Sequence, residues 1–137
     1  MTKNVHHFLA FDVGEKRIGV AQADSEVRMP FTVGTISVDS LEMSRVRELL
    51  AEVRPSIVVI GLPRNQRGET TAQTAVSQAF GDKVAALGVE VIYQDESLTS
   101  VLAERYLKSQ KKPYTKEDID AHAALIILSD YLEATYG

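Results

Sequence analysis

Apolar residues in this chain fall first into short runs and alternation, then into helical spacing, and that change of period organises the reading. Residues 5–13 predict a strand, because Phe8-Leu9-Ala10-Phe11 is a continuous apolar run of the kind found in strands covered on both faces. Gly14-Glu15 signals a turn, residues 18–23 a second short strand, and Asp24-Ser25-Glu26 another turn. Residues 27–38 form a third extended stretch. Pro30 lies inside it and cannot donate to a ladder, so this strand should sit at an edge or carry an irregularity. Three strands with short turns predict an antiparallel meander.

Beyond residue 38 the spacing becomes helical, with Met43, Val46, Leu49, Leu50 and Val53 on one face. Asp39 with Glu42 resembles a capping box at the start of this helix, and Pro55 marks its end. Ile57-Val58-Val59-Ile60 is short, β-branched and wholly apolar, as a buried parallel strand should be. Gly61-Leu62-Pro63 ends it, and a polar loop runs to residue 70. A second helix carries Ala72, Val76, Ala79, Phe80, Val84 and Leu87, with Gly88 placed as a left-handed cap and Gly81 arguing against an unbroken helix. Residues 89–93 predict a fifth strand and residues 99–108 a third helix. Residues 109–114 are polar and basic, with Pro113 as a breaker. Thr115 with Asp118 then looks like the cap of a last helix through residue 134. The order β-β-β-α-β-α-β-α-α predicts an α/β fold: a five-stranded mixed sheet with helices packed on it. No repeat, linker or low-complexity segment interrupts the chain, so residues 1–137 are expected to form a single domain.

Composition narrows the setting. Hydrophobic residues make up 45%, enough for a globular core rather than a disordered chain. The absence of cysteine excludes disulfides and thiolate metal sites. Met1-Thr2-Lys3-Asn4-Val5-His6-His7 lacks the apolar region of a signal peptide, and no apolar run is long enough to span a bilayer. A cytoplasmic protein with no membrane partner is the expectation. The net charge of -4 argues against a protein that coats nucleic acid through bulk positive charge. It leaves room for an enzyme that holds nucleic acid through local basic groups and cations.

Three groups of acids are candidates for chemistry. Asp12 ends a very apolar strand beside Gly14, where a carboxylate must be solvated, paired or bound to a cation; a turn-forming aspartate explains it equally well. Asp95 and Glu96 follow the fifth strand, on the side where open α/β sheets place their sites. Only one of the two should face such a site, since side chains alternate along a strand, and helix N-terminal charge is the competing account. Asp120 shares a helical stripe with Ala124 and Ile127, at the edge of the face that would pack on the sheet; there too the helix dipole suffices. Together the acids could converge and present the oxygen ligands that hard divalent cations want. Two such ions can activate water and stabilise the leaving oxygen of a phosphodiester.

Basic residues make a second group. Lys16 and Arg17 follow the first strand, Arg64 and Arg67 lie in the loop after the fourth, and Lys108, Lys111, Lys112 and Lys116 flank the entry to the last helix. All could contact phosphates, and solvated surface charge explains most of the lysines as well. Gly61 and Gly68 bracket a loop whose backbone could approach a phosphate or merely turn. His6, His7 and His122 are not assigned as ligands, and neither a Ser-His-Asp arrangement nor a P-loop is present.

Four segments in order resemble the YqgF family, also called the RuvX-type Holliday junction resolvases or pre-16S ribosomal RNA nucleases. They are residues 11–21 (FDVGEKRIGVA), residues 61–68 (GLPRNQRG), residues 95–100 (DESLTS) and residues 119–128 (IDAHAALIIL). The resemblance covers essentially the whole chain. It implies a ribonuclease H-like fold, with Asp12, Glu96 and Asp120 as catalytic, metal-holding acids and Asp95 as a candidate additional acid. It implies Mg²⁺ or Mn²⁺, two ions, as cofactor. Lys16, Arg17, Arg64, Asn65, Arg67 and Lys116 are then the expected nucleic-acid contacts. The expected function is metal-dependent nuclease action in 5′ maturation of pre-16S ribosomal RNA, on structured RNA and with pre-ribosomal particles as partners, as a monomer or homodimer. One departure stands out: Ser97 occupies the place where the family usually has arginine.

Other functions remain open at this point. The same chemistry on a Holliday junction would call for a two-fold dimer to cut both strands. The Asp-x-Gly hairpin also occurs in actin-like and sugar-kinase ATPases, which need two such domains where this length provides one. A catalytically silent RNA-binding module is a further alternative, although bare carboxylates facing phosphates would gain it nothing.

Overall fold

The computed structural model describes residues 5–96 and 99–137. Strands β1 (His7–Val13), β2 (Arg17–Asp24) and β3 (Phe31–Ser37) form the expected meander. They are followed by α1 (Glu42–Val53), β4 (Ile57–Pro63), α2 (Ala72–Ala85), β5 (Glu90–Glu96), α3 (Thr99–Ser109) and α4 (Lys116–Tyr136). The sheet order is β3-β2-β1-β4-β5. β4 lies parallel to β1, and β5 parallel to β4, so β1, β4 and β5 all end at the same rim.

Strand alternation separates two cores. Leu9, Phe11 and Val13 of β1 join Val46 of α1 and Phe80 and Val84 of α2 on one face. Phe8 and Ala10 join Ala124, Ile127, Leu128, Tyr131 and Leu132 of α4 on the other. The sheet is therefore covered on both faces, which is why β1 and β4 read as apolar throughout. Phe11 is fully buried, edge-on to Phe80 with ring centroids 5.5 Å apart. Truncating such a ring costs about 3–5 kcal/mol.

The α4 face of β2 carries Gly19, Ala21 and Ala23 at alternating positions. These small residues let α4 lie close on the sheet. At Gly19 the approach is closest: an added Cβ would stand 1.9 Å from the carbonyl oxygen of Asp120.

Several local expectations change. β3 is an edge strand and begins after Pro30, so the proline never enters the ladder; the irregularity is a register shift against β2 between Val20 and Ala21. Asp39 and Glu42 do not form a capping box. The Asp39 carboxylate instead accepts from the Leu41 amide at 2.8 Å and from Arg45 at 2.9 Å. Gly81 does not break α2, because the space its missing Cβ leaves is filled by the Tyr93 ring. Gly88 has the left-handed φ of +97° that its place after the helix predicts. The Thr115–Asp118 capping box is present, and Thr71 with Thr74 forms another at the start of α2. β4 and β5 continue to Pro63 and Glu96, beyond their purely apolar stretches, so polar residues ride to the rim on regular strands. Among the described residues, no helix is long and apolar enough to cross a membrane.

Candidate active site

Asp12 is the penultimate residue of β1 and continues the Phe8, Ala10 series, so its side chain rises on the α4 face. Its cross-strand partner is Gly19. Because Gly19 has no side chain, the first turns of α4 sit directly on β2, and Asp120 is delivered beside Asp12. Glu96 ends β5 in register with Pro63 of β4 and continues the Ile92 series on the same face. Gly61 lies on that face of β4 between them; a Cβ there would meet Ile127 at 2.5 Å and the Glu96 Cγ at 3.3 Å. Two glycines thus keep open the sheet surface over which three carboxylates gather. Gly61 is a packing position inside a strand rather than the start of a phosphate loop.

The electrostatics follow from that gathering. Burial, then the charges of Glu96 and Asp120, push the Asp12 carboxyl up to about 7. Glu96 is also raised by burial, opposed by a hydrogen bond from the Thr99 hydroxyl. Asp120 accepts from Arg17 Nε at 2.7 Å. With Arg17 holding Asp120 and Thr99 holding Glu96, no group of three acid or imidazole side chains among the described residues is drawn together as a finished cation cage. The donor chemistry nevertheless fits a hard divalent cation: oxygen ligands, excess negative charge, and a carboxylate that burial, and then the charges of Glu96 and Asp120, keep partly protonated near neutrality.

The remaining candidates are dispersed. Asp95 is one residue out of phase with Glu96, so it leaves the α4 face and pairs with Arg64 at 3.2 Å. Asn65 is occupied within its own loop, accepting from the amides of Arg67 and Glu69 at 2.9 Å each and donating to the Glu69 carboxylate at 3.2 Å. Arg17 and Arg64 are each committed to an acid, whereas Lys16, Arg67 and Lys116 are exposed and make no ion pair among the described residues. His122 stacks on Tyr106 between α4 and α3, with ring centroids 4.4 Å apart. Ser97 lies outside the described residues.

Sequence reasoning missed three supporting residues. Gly19 appeared only inside a motif, although alternation with Ala21 and Ala23 marks it as the smallest position under α4. Thr99 reads in the sequence only as a helix start, yet its hydroxyl donates to the Glu96 carboxylate. Gln73 Nε2 donates to the Val13 carbonyl at 2.7 Å and ties α2 to the end of β1; nothing in the local pattern signals that contact.

A mixed sheet of this order, with carboxylates at the rim where parallel β1 and β5 end and a helix delivering a third, defines the ribonuclease H-like class. Two solved structures share the fold. Thermus thermophilus RuvC in complex with a Holliday junction substrate matches at a TM-score of 0.58, with 17% identity and 96% of each chain covered. A further Thermus thermophilus RuvC structure matches at 0.53, with 15% identity over 94% of this chain and 95% of that one. The chain belongs to the RuvX family, described as Holliday junction resolvase, whose model matches residues 6–134. A Chloroflexus aggregans protein named "Putative pre-16S rRNA nuclease" is 44% identical, with 96% of each chain covered. A Lactococcus lactis protein of the same name is 38% identical over 92% of this chain and 93% of its own. The chain is thus a member of a hydrolase family of nucleases.

Proposed function

We propose that this chain is a single-domain, divalent-metal-dependent nuclease of the cytoplasm that hydrolyses phosphodiesters of structured RNA in the 5′ maturation of pre-16S ribosomal RNA. The observation that carries the reading is Asp12. Its carboxylate is buried against two others at the rim, an arrangement that costs stability unless a cation or a proton compensates it. The names of the relatives favour ribosomal RNA as substrate and pre-ribosomal particles as partners.

Asp12, Glu96 and Asp120 would hold the cations. Bound there, two Mg²⁺ or Mn²⁺ ions supply an activated water and charge stabilisation for the leaving oxygen. The chain's own residues prepare the site. Asp12 gives up its proton when a cation is taken. Thr99 fixes the Glu96 carboxylate by hydrogen bonding, and Arg17 offsets the charge of Asp120. Lys16, Arg67 and Lys116 are available to phosphate, whereas Arg64 must first leave Asp95. A chain of net charge -4 binds nucleic acid through such local contacts.

The family description and the junction-bound RuvC favour one alternative substrate, a branched DNA junction, for which a homodimer would be needed. Cleavage of precursor 16S RNA and of junction DNA, assayed side by side with Mg²⁺ and Mn²⁺, separates the two. Asp12→Asn should lower cleavage at least about a hundredfold while the circular dichroism spectrum is kept, comparable to losing one key electrostatic group elsewhere. Full activity of Asp12→Asn would refute the site, and cleavage of the junction alone would transfer the function to DNA.

A further inference from the structure

On the opposite face of the sheet from Asp12, at the same rim, a cavity of about 540 Å³ opens between the β1–β2 turn and the first turns of α1 and α2. That volume lies in the range of small-molecule sites, roughly 300–1,000 Å³. Val13, next in sequence to Asp12, lies on its wall, together with Val38 and Val76. Val38 and Val76 are exposed apolar side chains, 37% and 50% accessible, with nothing covering them among the described residues. The polar side chains on the wall are Glu15, Glu42, Thr71 and Gln73, with the Thr71 hydroxyl already engaged by Thr74 as the cap of α2. Neither glutamate makes an ion pair or side-chain hydrogen bond among the described residues. Gln73 spends its amide N–H on the Val13 carbonyl, which leaves its carbonyl oxygen without a donor. These side chains offer acceptors and two negative charges.

We propose that this cavity is a base-binding subsite that takes one unpaired guanine of the nucleic acid whose neighbouring phosphate lies over Asp12. The inference rests on the nuclease reading for its context, but its own basis is the cavity. The valine side chains can cover the faces of an unstacked base, and single-stranded nucleic acid is recognised by holding such bases on their Watson–Crick edges. Among the four bases, guanine alone presents two adjacent donors, N1–H and N2–H₂, which match the two oxygens of one carboxylate. Adenine and cytosine place an acceptor nitrogen beside their amino group, and uracil flanks its single N–H with two acceptors; a carboxylate is repelled by each of these.

The test is titration of the ¹⁵N-labelled full chain with guanosine, adenosine, cytidine and uridine 5′-monophosphates, followed by amide shifts. Guanosine monophosphate should move Gly14, Gln73 and Val76 saturably, at least tenfold more tightly than uridine monophosphate. Val76→Trp, at an exposed helix position that tolerates the change, should abolish this binding by filling the cavity, and Glu42→Gln and Glu15→Gln should each be examined for a loss of base preference. At least one must show it. Asp12→Asn should bind guanosine monophosphate as the parent does. Equal shifts with all four nucleotides, binding that survives Val76→Trp, or occupation of the cavity by N-acetyl-arginine amide in preference to guanosine monophosphate would overturn the proposal. Loss of cleavage specificity with retained base binding, or the reverse, shows which of the two readings fails: cleavage that persists in Asp12→Asn defeats the nuclease site alone, and absent base preference defeats the subsite alone.

Discussion

Asp12 sits where two demands conflict. Its strand is built to be buried, and its carboxyl is pushed up to about 7 by burial and by Glu96 and Asp120. In the metal-free protein the folded state therefore holds a proton that the unfolded chain releases near pH 4. Between those values the native state binds more protons, so stability falls as pH rises from about 4 through about 7. Asp12→Asn should remove this component: thermal melts in chelator should show the variant more stable than the parent at pH 8, by on the order of a few kcal/mol, and nearly equal to it at pH 4. A parent that gains stability from pH 5 to pH 8 relative to the variant would contradict the sign. Gly19 is the second decisive residue. Gly19→Ala forces a methyl group into the Asp120 carbonyl, and overpacking of this kind costs about 1–3 kcal/mol or shifts the helix. The expected result is a lower melting temperature and reduced cleavage, because the displaced group is the backbone of Asp120, one of the proposed cation-holding acids.

At the scale of elements, the site depends on how α4 begins. Thr115 and Asp118 cap the helix reciprocally, with the Thr115 amide donating to Asp118 at 2.9 Å and the Asp118 amide donating to Thr115 at 3.2 Å. That cap fixes the turn from which Asp120 projects. Thr115→Ala should cost about 1 kcal/mol. Its activity loss should exceed what that destabilisation predicts at a temperature where the variant stays folded, since fraying reaches Asp120 within one turn. Melts and initial rates on the same preparation check both. Much of this architecture was legible beforehand. The β-β-β-α-β-α-β-α-α order, the edge position of β3 and the cap of α4 follow from periodicity, one proline and one Thr-x-x-Asp spacing. Strand alternation also anticipated that Asp95 and Glu96 would part, one toward α4 and one toward Arg64. The Asp39–Glu42 capping box does not form because α1 begins at Glu42 with Leu41 at its N-cap, so Asp39 lies two residues ahead of the cap and its carboxylate is taken by the Leu41 amide and by Arg45.

For the whole molecule, the three acids belong to elements far apart in sequence, and their closeness costs the fold stability. A cation bound only by the folded state, as proposed, would offset that cost. Adding Mg²⁺ or Mn²⁺ at one hundred times its dissociation constant should stabilise the protein by about 2.7 kcal/mol, read as a rise in melting temperature. At a fixed cation concentration the effect should be larger at pH 8 than at pH 6, since Asp12 must lose its proton, and should vanish in Asp12→Asn. An equal rise in the variant would mean that the ions bind elsewhere.

By itself the sequence determined the local periods, the apolar β1 and β4, the capping signals, the candidate acids and the four segments shared with the RuvX family. These are short-range properties, carried by neighbours a few positions apart. Only the tertiary structure decided which side chains meet. Glycine at positions 19 and 61 signals nothing about its partner until α4 crosses the sheet above it. Likewise Arg17 and Arg64 read as free cations until folding brings Asp120 and Asp95 within reach. The burial of Asp12 and its closeness to Glu96 and Asp120, and hence its raised pKa, arise from strand order and helix approach, which are set by packing over long separations rather than by any local pattern.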